Sequence, residues 1–246
     1  MKAIMLLLTA GLLTTGLFAA APIVTSTDSM KVTATEKDDT AAARWRIALS
    51  GVGRFGADIS MINTPLNKSG ELYGAGFDVM YNLLPEEDFN LWVGLGTTYM
   101  PNQDFANCSV REVTADYTLT FDEKVKIKAY DLRFMIMPEW NVTESVALGL
   151  RLGVGVCHYS GDDTETLSLS DAYGSATMRN SYSYSETLFR AILGVQAHWA
   201  ITEQLGALAY CQAYLGNEAD LEINGEKVGE FDDVSAEIGI GLTYSF

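Results

Sequence analysis

Hydrophobic residues alternate with small or polar residues along most of this chain. The last stretch, AEIGIGLTYSF, is typical: Leu242, Tyr244 and Phe246 share one side, whereas Gly241, Thr243 and Ser245 share the other. Seven earlier stretches, the first starting at Arg44, repeat this alternation over about ten residues each. A strict period of two predicts β-strands and not helices. The pattern therefore predicts an all-β protein of eight strands.

The connections between these stretches alternate in length. Three of them, LPEED, NVTE and ITE, are tight turns. The other four are longer and polar, and occupy residues 58–71, 101–124, 160–184 and 216–230. Transmembrane β-barrels have short turns on the periplasmic side and long loops on the outside. We therefore predict short periplasmic turns and long extracellular loops.

The two faces of the predicted strands differ in a way that identifies their surroundings. One face is aliphatic and aromatic, while the other is rich in glycine with scattered charges. Glycine weakens a strand unless space is short, and the interior of an eight-stranded barrel is just wide enough for side chains to fill. The fold class predicted is a closed eight-stranded antiparallel transmembrane β-barrel with its apolar face in lipid.

Charged residues of the inward face form a predicted network of ion pairs in the lumen. Its members are Arg46, Arg54, Asp78, Asp131, Arg133, Arg151, Glu186, Arg190 and Glu237. Depth along the strands suggests that Asp78 pairs with Arg133 or Arg151, and that Glu237 pairs with Arg190 or Arg54. Such a network either fills the lumen as a plug or lines a narrow gated channel, and the narrow lumen favours the plug.

Aromatic residues of the oily face cluster at the strand ends. A girdle on the short-turn side is predicted from Trp45, Tyr81, Phe89, Trp140 and Trp199. A second aromatic level lies toward the long loops, with aliphatic residues between the two. Barrels of outer membranes have such girdles at both interfaces of a band about 25 Å tall.

The N-terminal segment has the layout of a secretory signal peptide. Lys2 precedes an apolar run that ends in Ala19, Ala20 and Ala21. We assign residues 1–21 to the signal peptide, 22–43 to a disordered periplasmic lead, and 44–246 to the barrel. The formal net charge of −16 argues against nucleic acid as a partner.

The C-terminus gives the chain a family resemblance. Gly241, Tyr244 and the terminal Phe246 resemble the C-terminal assembly signal of Gram-negative outer-membrane proteins. From about residue 44 onward the chain resembles the small eight-stranded barrels of the OmpA-transmembrane-domain, OmpX and OmpW type. The resemblance implies an outer-membrane location, with outer-membrane lipid and the barrel-assembly machinery as partners. It names no ligand, so any extracellular ligand is unknown.

Other candidate chemistry is weak. His158 lies near Ser160, Asp162 and Asp163, but a catalytic triad needs fixed geometry, and we predict no catalytic residue. The acidic stretches around Asp163 and around residues 218–222 lack the spacing of a calcium loop and are interpreted as solvated charge. No cofactor or metal is predicted. The three cysteines are interpreted as unpaired thiols, although Cys108 and Cys157 could pair.

The function predicted from these features is a structural or surface-interaction role in the outer membrane. The main alternative is a low-conductance channel or a porin for small apolar solutes. A lipid-modifying barrel enzyme is a remote alternative, because some small barrels of this kind act on lipid A.

Overall fold

A computed structural model describes residues 44–61, 67–223 and 226–246. The strands run in chain order, and their bounds are β1 Trp45–Met61, β2 Asn67–Pro85, β3 Phe89–Val113, β4 Tyr117–Asn141, β5 Val146–Asp171, β6 Gly174–Ala200, β7 Leu205–Ile223 and β8 Glu226–Ser245. Each strand pairs with its neighbours in sequence, and β8 pairs with β1 to close a barrel. The predicted fold class, a closed eight-stranded antiparallel barrel, is confirmed.

The first and last strands meet at the lower, short-turn end. Antiparallel pairing runs from Arg46↔Ser245 upward, and the amide of Phe246 donates to the carbonyl of Trp45 at 2.9 Å. The carbonyl of Phe246 in turn accepts from the amide of Trp45 at 2.9 Å. Closure leaves no open sheet edge at this level, as a strand in lipid requires.

Within the described residues, the long connections predicted between the strands are largely continuations of those strands, and form extended hairpins where the sequence predicts loops. Strand β5 runs on to Asp171 and β6 begins at Gly174, which leaves a two-residue turn. Strands β3 and β4 are similarly joined by residues 114–116. Above the membrane neither face of a strand contacts lipid, so neither face has to be apolar. The alternation of apolar and polar residues that indicates a strand in the sequence is therefore weaker there.

Above the membrane level the barrel divides into two sheets. Pairing of β2 with β3 ends at Ala75↔Tyr99, and pairing of β6 with β7 ends at Arg190↔Gly216. The upper parts of β3–β6 form a four-stranded sheet that we call leaf A, made of residues 100–113, 117–129, 159–171 and 174–188. The upper parts of β7, β8, β1 and β2 form leaf B, whose strands pair with one another to near their tips.

The outer surface below the leaves is apolar. Leu49, Leu95, Val154, Ile240 and Leu242 each expose more than half of their surface. Aromatic residues lie at both ends of this belt: Trp45 packs edge-on against Tyr81 at 4.9 Å between ring centres, and Tyr99 stacks on Tyr130 at 4.8 Å. Ten residues of β4 separate Trp140 from Tyr130, which at the usual rise and tilt is about 25 Å, the height of a membrane band.

The proposed signal peptide and periplasmic lead, residues 1–43, lie outside the described residues. Within the described ranges, no helix is long and apolar enough to cross a membrane.

Candidate functional site

The lowest part of the lumen holds a bidentate ion pair. Arg46 donates to both carboxylate oxygens of Glu139, at 2.8 and 3.0 Å, and its guanidinium lies 4.0 Å from the centre of the Trp92 ring. The indole of Trp92 and the amide of Gln196 also donate to Glu139, at 3.2 and 2.9 Å. Glu139 is buried, and these four hydrogen bonds satisfy its charge.

The middle of the lumen is built around Asp78. Arg133 donates to one of its oxygens at 2.7 Å and Arg151 to the other at 3.2 Å. Arg151 also donates to Gln196 at 3.1 Å and to Gln212 at 2.8 Å. Gln196 therefore joins Arg151 to the Glu139 pair below.

The upper part of the network contains Glu237 and Asp131. Arg54 donates to each of these carboxylates at 2.8 Å, and Arg133 reaches Glu237 at 3.4 Å. Arg190 pairs with the same Asp131 oxygen that Arg54 uses. All five residues are at most 3 % exposed.

These contacts form one continuous network, which we call the arginine network. It joins the arginines Arg46, Arg54, Arg133, Arg151 and Arg190 to the carboxylates Asp78, Asp131, Glu139 and Glu237. The sequence-predicted set includes every member except Glu139. Glu186 does not belong: it is only half-buried and takes part in no ion pair among the described residues.

Small residues make room for the network. A side-chain carbon at Gly96 would collide with the carboxylate of Asp78 and would come within 2.6 Å of Arg133 Nε. At Gly76 it would lie 2.7 Å from the hydroxyl of Ser50. Gly96 therefore leaves room for the ion pair between Asp78 and Arg133, its direct neighbours on β2 and β4.

An apolar layer lies directly above the arginine network. It consists of Leu72, Phe105, Ile127, Tyr159 and Phe231, all at most 6 % exposed. Phe231 from β8 packs on Tyr159 at 4.6 Å and on Phe105 at 6.4 Å between ring centres. The hydroxyl of Tyr159 accepts from Arg54 at 3.1 Å, which places the layer on top of the charged groups. Five different strands contribute, so the layer extends across the lumen.

A second set of buried carboxylates lies farther up, on the inner face of leaf A. We call Glu123, Asp163 and Glu165 the acidic cluster: one oxygen from each lies within 4.8 Å of the others. Glu123 faces Glu165 across the β4–β5 pair, and Asp163 lies opposite Val125. Glu123 and Asp163 are at most 1 % exposed, whereas Asp162 is exposed on the outer face. The interpretation of Asp163 as solvated charge is therefore wrong, because the strand continues and turns it inward.

Burial raises the pKa of Asp163 to about 6, and the nearby charge of Glu165 adds to the rise. The amide of Thr164 opposes this rise, but neither oxygen of Asp163 has a partner in hydrogen-bond geometry. The hydroxyl of Tyr184, also buried, has no hydrogen-bond partner among the described residues. Burial and the Asp163 charge raise the pKa of this phenol as well.

The closed sheet, the apolar belt between two aromatic levels and the polar lumen together define the molecule. It has the fold of an outer-membrane β-barrel. No family model matches the chain, and no curated protein matches it in sequence.

The chain is similar to three solved structures of bacterial proteins. The chain is similar to a major outer membrane protein of Thermus thermophilus (15% identity, TM-score 0.44), covering 81% of this chain and 99% of that one. It is similar to Neisserial surface protein A at 12% identity and a TM-score of 0.39, covering 81% and 97%. It is also similar to the attachment invasion locus protein Ail of Yersinia pestis, at 13% identity and a TM-score of 0.38, over 82% of this chain and 99% of that one.

The remaining candidate residues lie apart from the lumen. Trp45, Trp140 and Trp199 of the predicted girdle are 44–52 % exposed on the outer face, and Phe89 lies 5.6 Å from Trp140. Gly241 approaches the backbone of Leu49 too closely for any larger side chain. The assembly role of Gly241, Tyr244 and Phe246 stays a prediction.

Two other sequence candidates have simpler surroundings. His158 is exposed on the outer face and its Nδ1 lies 3.0 Å from the hydroxyl of Thr187, a contact that contains neither Ser160 nor an acid. Cys108, Cys157 and Cys211 form no disulfide among the described residues.

Sequence reasoning missed several polar members of the lumen. Glu139 continues the odd-numbered inward series that begins at Asp131, and extending that series through Pro138 would have found it. Gln196 and Gln212 carry no charge, so a search for ion pairs passes over them although both hold Arg151. Asp163 lay in a segment that was assigned to a loop.

Proposed function

We propose that this protein is a sealed outer-membrane barrel whose role is to hold leaf A at the cell surface as an interaction platform. The barrel supplies the anchor and leaf A the contact surface. The role is structural and adhesive, and it needs no flow of solute through the lumen.

The observation that carries the proposal is the apolar layer above the arginine network. Water and ions that entered from outside would meet Phe231 against Tyr159, which are 1–2 % exposed. Below them, Arg54 is 1 % exposed and is held by Asp131, Glu237 and Tyr159. An eight-stranded barrel offers little lumen beyond what side chains occupy. This arrangement favours the plug over the channel or porin alternative.

Leaf A supports the surface role because its two outer strands lack neighbours. Above Tyr99 strand β3 has no ladder to β2, and above Arg190 strand β6 has none to β7, among the described residues. An unpaired edge presents free amide and carbonyl groups, which can pair with an extended segment of another protein. Exposed apolar side chains lie near the tip: Val113, Tyr173 and Met178 are 56–99 % exposed.

Conductance of the purified mature protein in planar bilayers tests the seal. The wild type should show no discrete current steps. The double variant Phe105→Ala and Phe231→Ala should become leaky, because both changes remove rings from the apolar layer. A matched control, Phe134→Ala on the lipid face, should stay silent. Regular steps in the wild type would overturn the sealed-barrel proposal.

The surface role is tested separately on cells. Deletion of residues 163–181 removes the upper part of the β5–β6 hairpin but leaves the membrane-level strands intact. Cells with this protein should lose adhesion to the surfaces that wild-type cells bind. Equal adhesion, with equal amounts of folded barrel in the membrane, would contradict the role of leaf A.

A further inference from the structure

The acidic cluster poses a physical problem that the sealed barrel does not solve. Asp163 is fully buried, neither of its oxygens has a partner in hydrogen-bond geometry, and no ion pair of the described residues includes it. A buried carboxylate is unfavourable unless it is paired or coordinates a metal. Elsewhere in this molecule every buried carboxylate of the arginine network has an arginine, so Asp163 stands apart.

Strand register forces the carboxylates together. Glu123 and Glu165 are directly opposed across β4 and β5, and Asp163 lies two residues from Glu165 on the same face. Like charges directly opposite one another destabilise a pair of strands. The register therefore brings three carboxylates together on the inner face of leaf A.

We propose that Glu123, Asp163 and Glu165 bind a divalent cation, calcium above all, taken from the external medium. Three carboxylates are hard oxygen ligands, which calcium and magnesium prefer over sulfur or nitrogen. Calcium lies 2.3–2.6 Å from its ligands, so a spread of up to 4.8 Å between oxygens suits it. Magnesium requires distances of about 2.0–2.1 Å and gives up its waters reluctantly, so it should bind more weakly.

The surroundings provide a floor and an entrance for the ion. Val125 and Ile127, both fully buried, lie below Glu123 on β4 and separate the cluster from the arginine network. Glu165 is only half-buried, so the cluster opens toward the tip of leaf A. The buried hydroxyl of Tyr184, which lies in the field of Asp163, is an additional oxygen on the same inner face.

Cation binding would tie β4 to β5 above the membrane. The site would stiffen the sheet that the proposed function uses, but it does not depend on that function. If the barrel adheres to nothing, calcium binding is unaffected, and the two proposals can fail independently.

Thermal unfolding of the mature protein in detergent, stripped of metal with EDTA, is the first test. Calcium should raise the unfolding midpoint over the range of about 0.1–10 mM, because extracellular calcium modules bind at about 0.1–1 mM. Magnesium should shift the midpoint less. An unchanged midpoint up to the highest calcium concentration would overturn the proposal.

Two variants and one control locate the site. Asp163→Asn and Glu165→Gln should each weaken calcium binding by about tenfold or more, since even residues behind a metal ligand contribute that much. Asp162→Asn is the matched control: Asp162 is next in sequence but points outward and accepts from Ser183 at 2.7 Å. A calcium response of Asp163→Asn equal to that of the wild type, or an equal loss in Asp162→Asn, would contradict the site.

Terbium luminescence gives a readout that does not depend on stability. Tyr184 and Tyr159 lie on the inner face near the cluster and can transfer excitation to a bound terbium ion. Wild type and Asp162→Asn should show this emission, and calcium should compete it away. If Asp163→Asn does not fold, Glu165→Gln is used for the test, because Glu165 is only half-buried. Emission that persists in a folded Glu165→Gln at wild-type terbium affinity would overturn the proposal.

Discussion

Two regions of this barrel bury carboxylates in opposite ways. In the arginine network, Asp78 accepts from two arginines and Glu237 from two. In the acidic cluster, Asp163 is just as buried but accepts from none. Along β4 the two regions are separated by Val125, Ile127 and Ala129, which are all fully buried.

The contrast follows from where each region lies. At membrane level, water and ions cannot reach a lumen that side chains fill, so each charge needs a fixed partner from the protein. Above the membrane the medium itself can supply a cation, and the protein does not have to. The network is therefore expected to be rigid and independent of ionic conditions, and the cluster to respond to them.

Breaking the arginine network should have the largest effect. Arg54→Ala leaves Asp131 and Glu237 each short of a partner at 2.8 Å, and loss of one member of a buried pair costs about 3–5 kcal/mol. The urea midpoint of the protein in detergent should fall accordingly. The control, Arg111→Ala in the exposed part of leaf A, should leave the midpoint nearly unchanged. Equal midpoints for the two variants would show that the network does not stabilise the fold.

The lipid face should be the next most sensitive region. Leu150 is mid-strand on the outer surface of β5, so Leu150→Arg places a charge near the bilayer midplane and should cost about 2–4 kcal/mol. Val110→Arg, at an exposed position of leaf A above the upper aromatic level, should cost almost nothing. Unfolding from lipid vesicles measures both. A penalty that is the same at the two depths would mean that Leu150 does not face lipid.

Replacing a buried aspartate by asparagine should change the free energy of unfolding in opposite directions in the two regions. In EDTA, Asp163→Asn removes a buried charge without a partner and should stabilise the protein by about 1 kcal/mol or more. Asp78→Asn should destabilise it, because Arg133 and Arg151 lose their shared counter-charge. Paired unfolding curves in detergent test this. Destabilisation by both variants would mean that Asp163 has a partner after all.

The smallest effect is expected where the two leaves separate. Gln103 bonds both the amide and the carbonyl of Tyr73, at 3.0 and 2.9 Å, and so takes the place of a backbone partner just above the last β2–β3 pair. Gln103→Ala should cost about 0.5 kcal/mol, since the site is exposed to water. Amide hydrogen exchange at Tyr73 should nevertheless become faster. Unchanged exchange would show that the glutamine does not hold the strands together.

The membrane-level barrel could be predicted from the sequence because lipid makes its two faces chemically different. The alternation of apolar and polar residues predicts the eight strands. It also predicts that Arg54, Arg133 and Glu237 point into the lumen. Depth along the strands also indicated which partners come together, as the pairs Asp78–Arg133 and Glu237–Arg54 illustrate.

The region above the membrane could not be predicted in the same way. There both faces of β4 and β5 carry polar residues: Lys124 points out at 49 % exposure of its side chain while Glu123 points in at 1 %. Without an oily face, strand residues resemble loop residues in sequence. The division into two leaves depends on where pairing between β2 and β3 stops, which is a property of backbone geometry and not of any single residue.

Labelling of intact cells tests most directly the claim that the network lies within the membrane and the cluster outside it. A peptide tag inserted at Ala172, in the turn at the tip of leaf A, should be reached by antibody added to whole cells. A tag placed before Arg44 should be reached only after the outer membrane is opened, because Arg44 and Phe246 are bonded to each other at the short-turn end. The reverse pattern would contradict the orientation of the barrel and with it the contrast between its two buried regions.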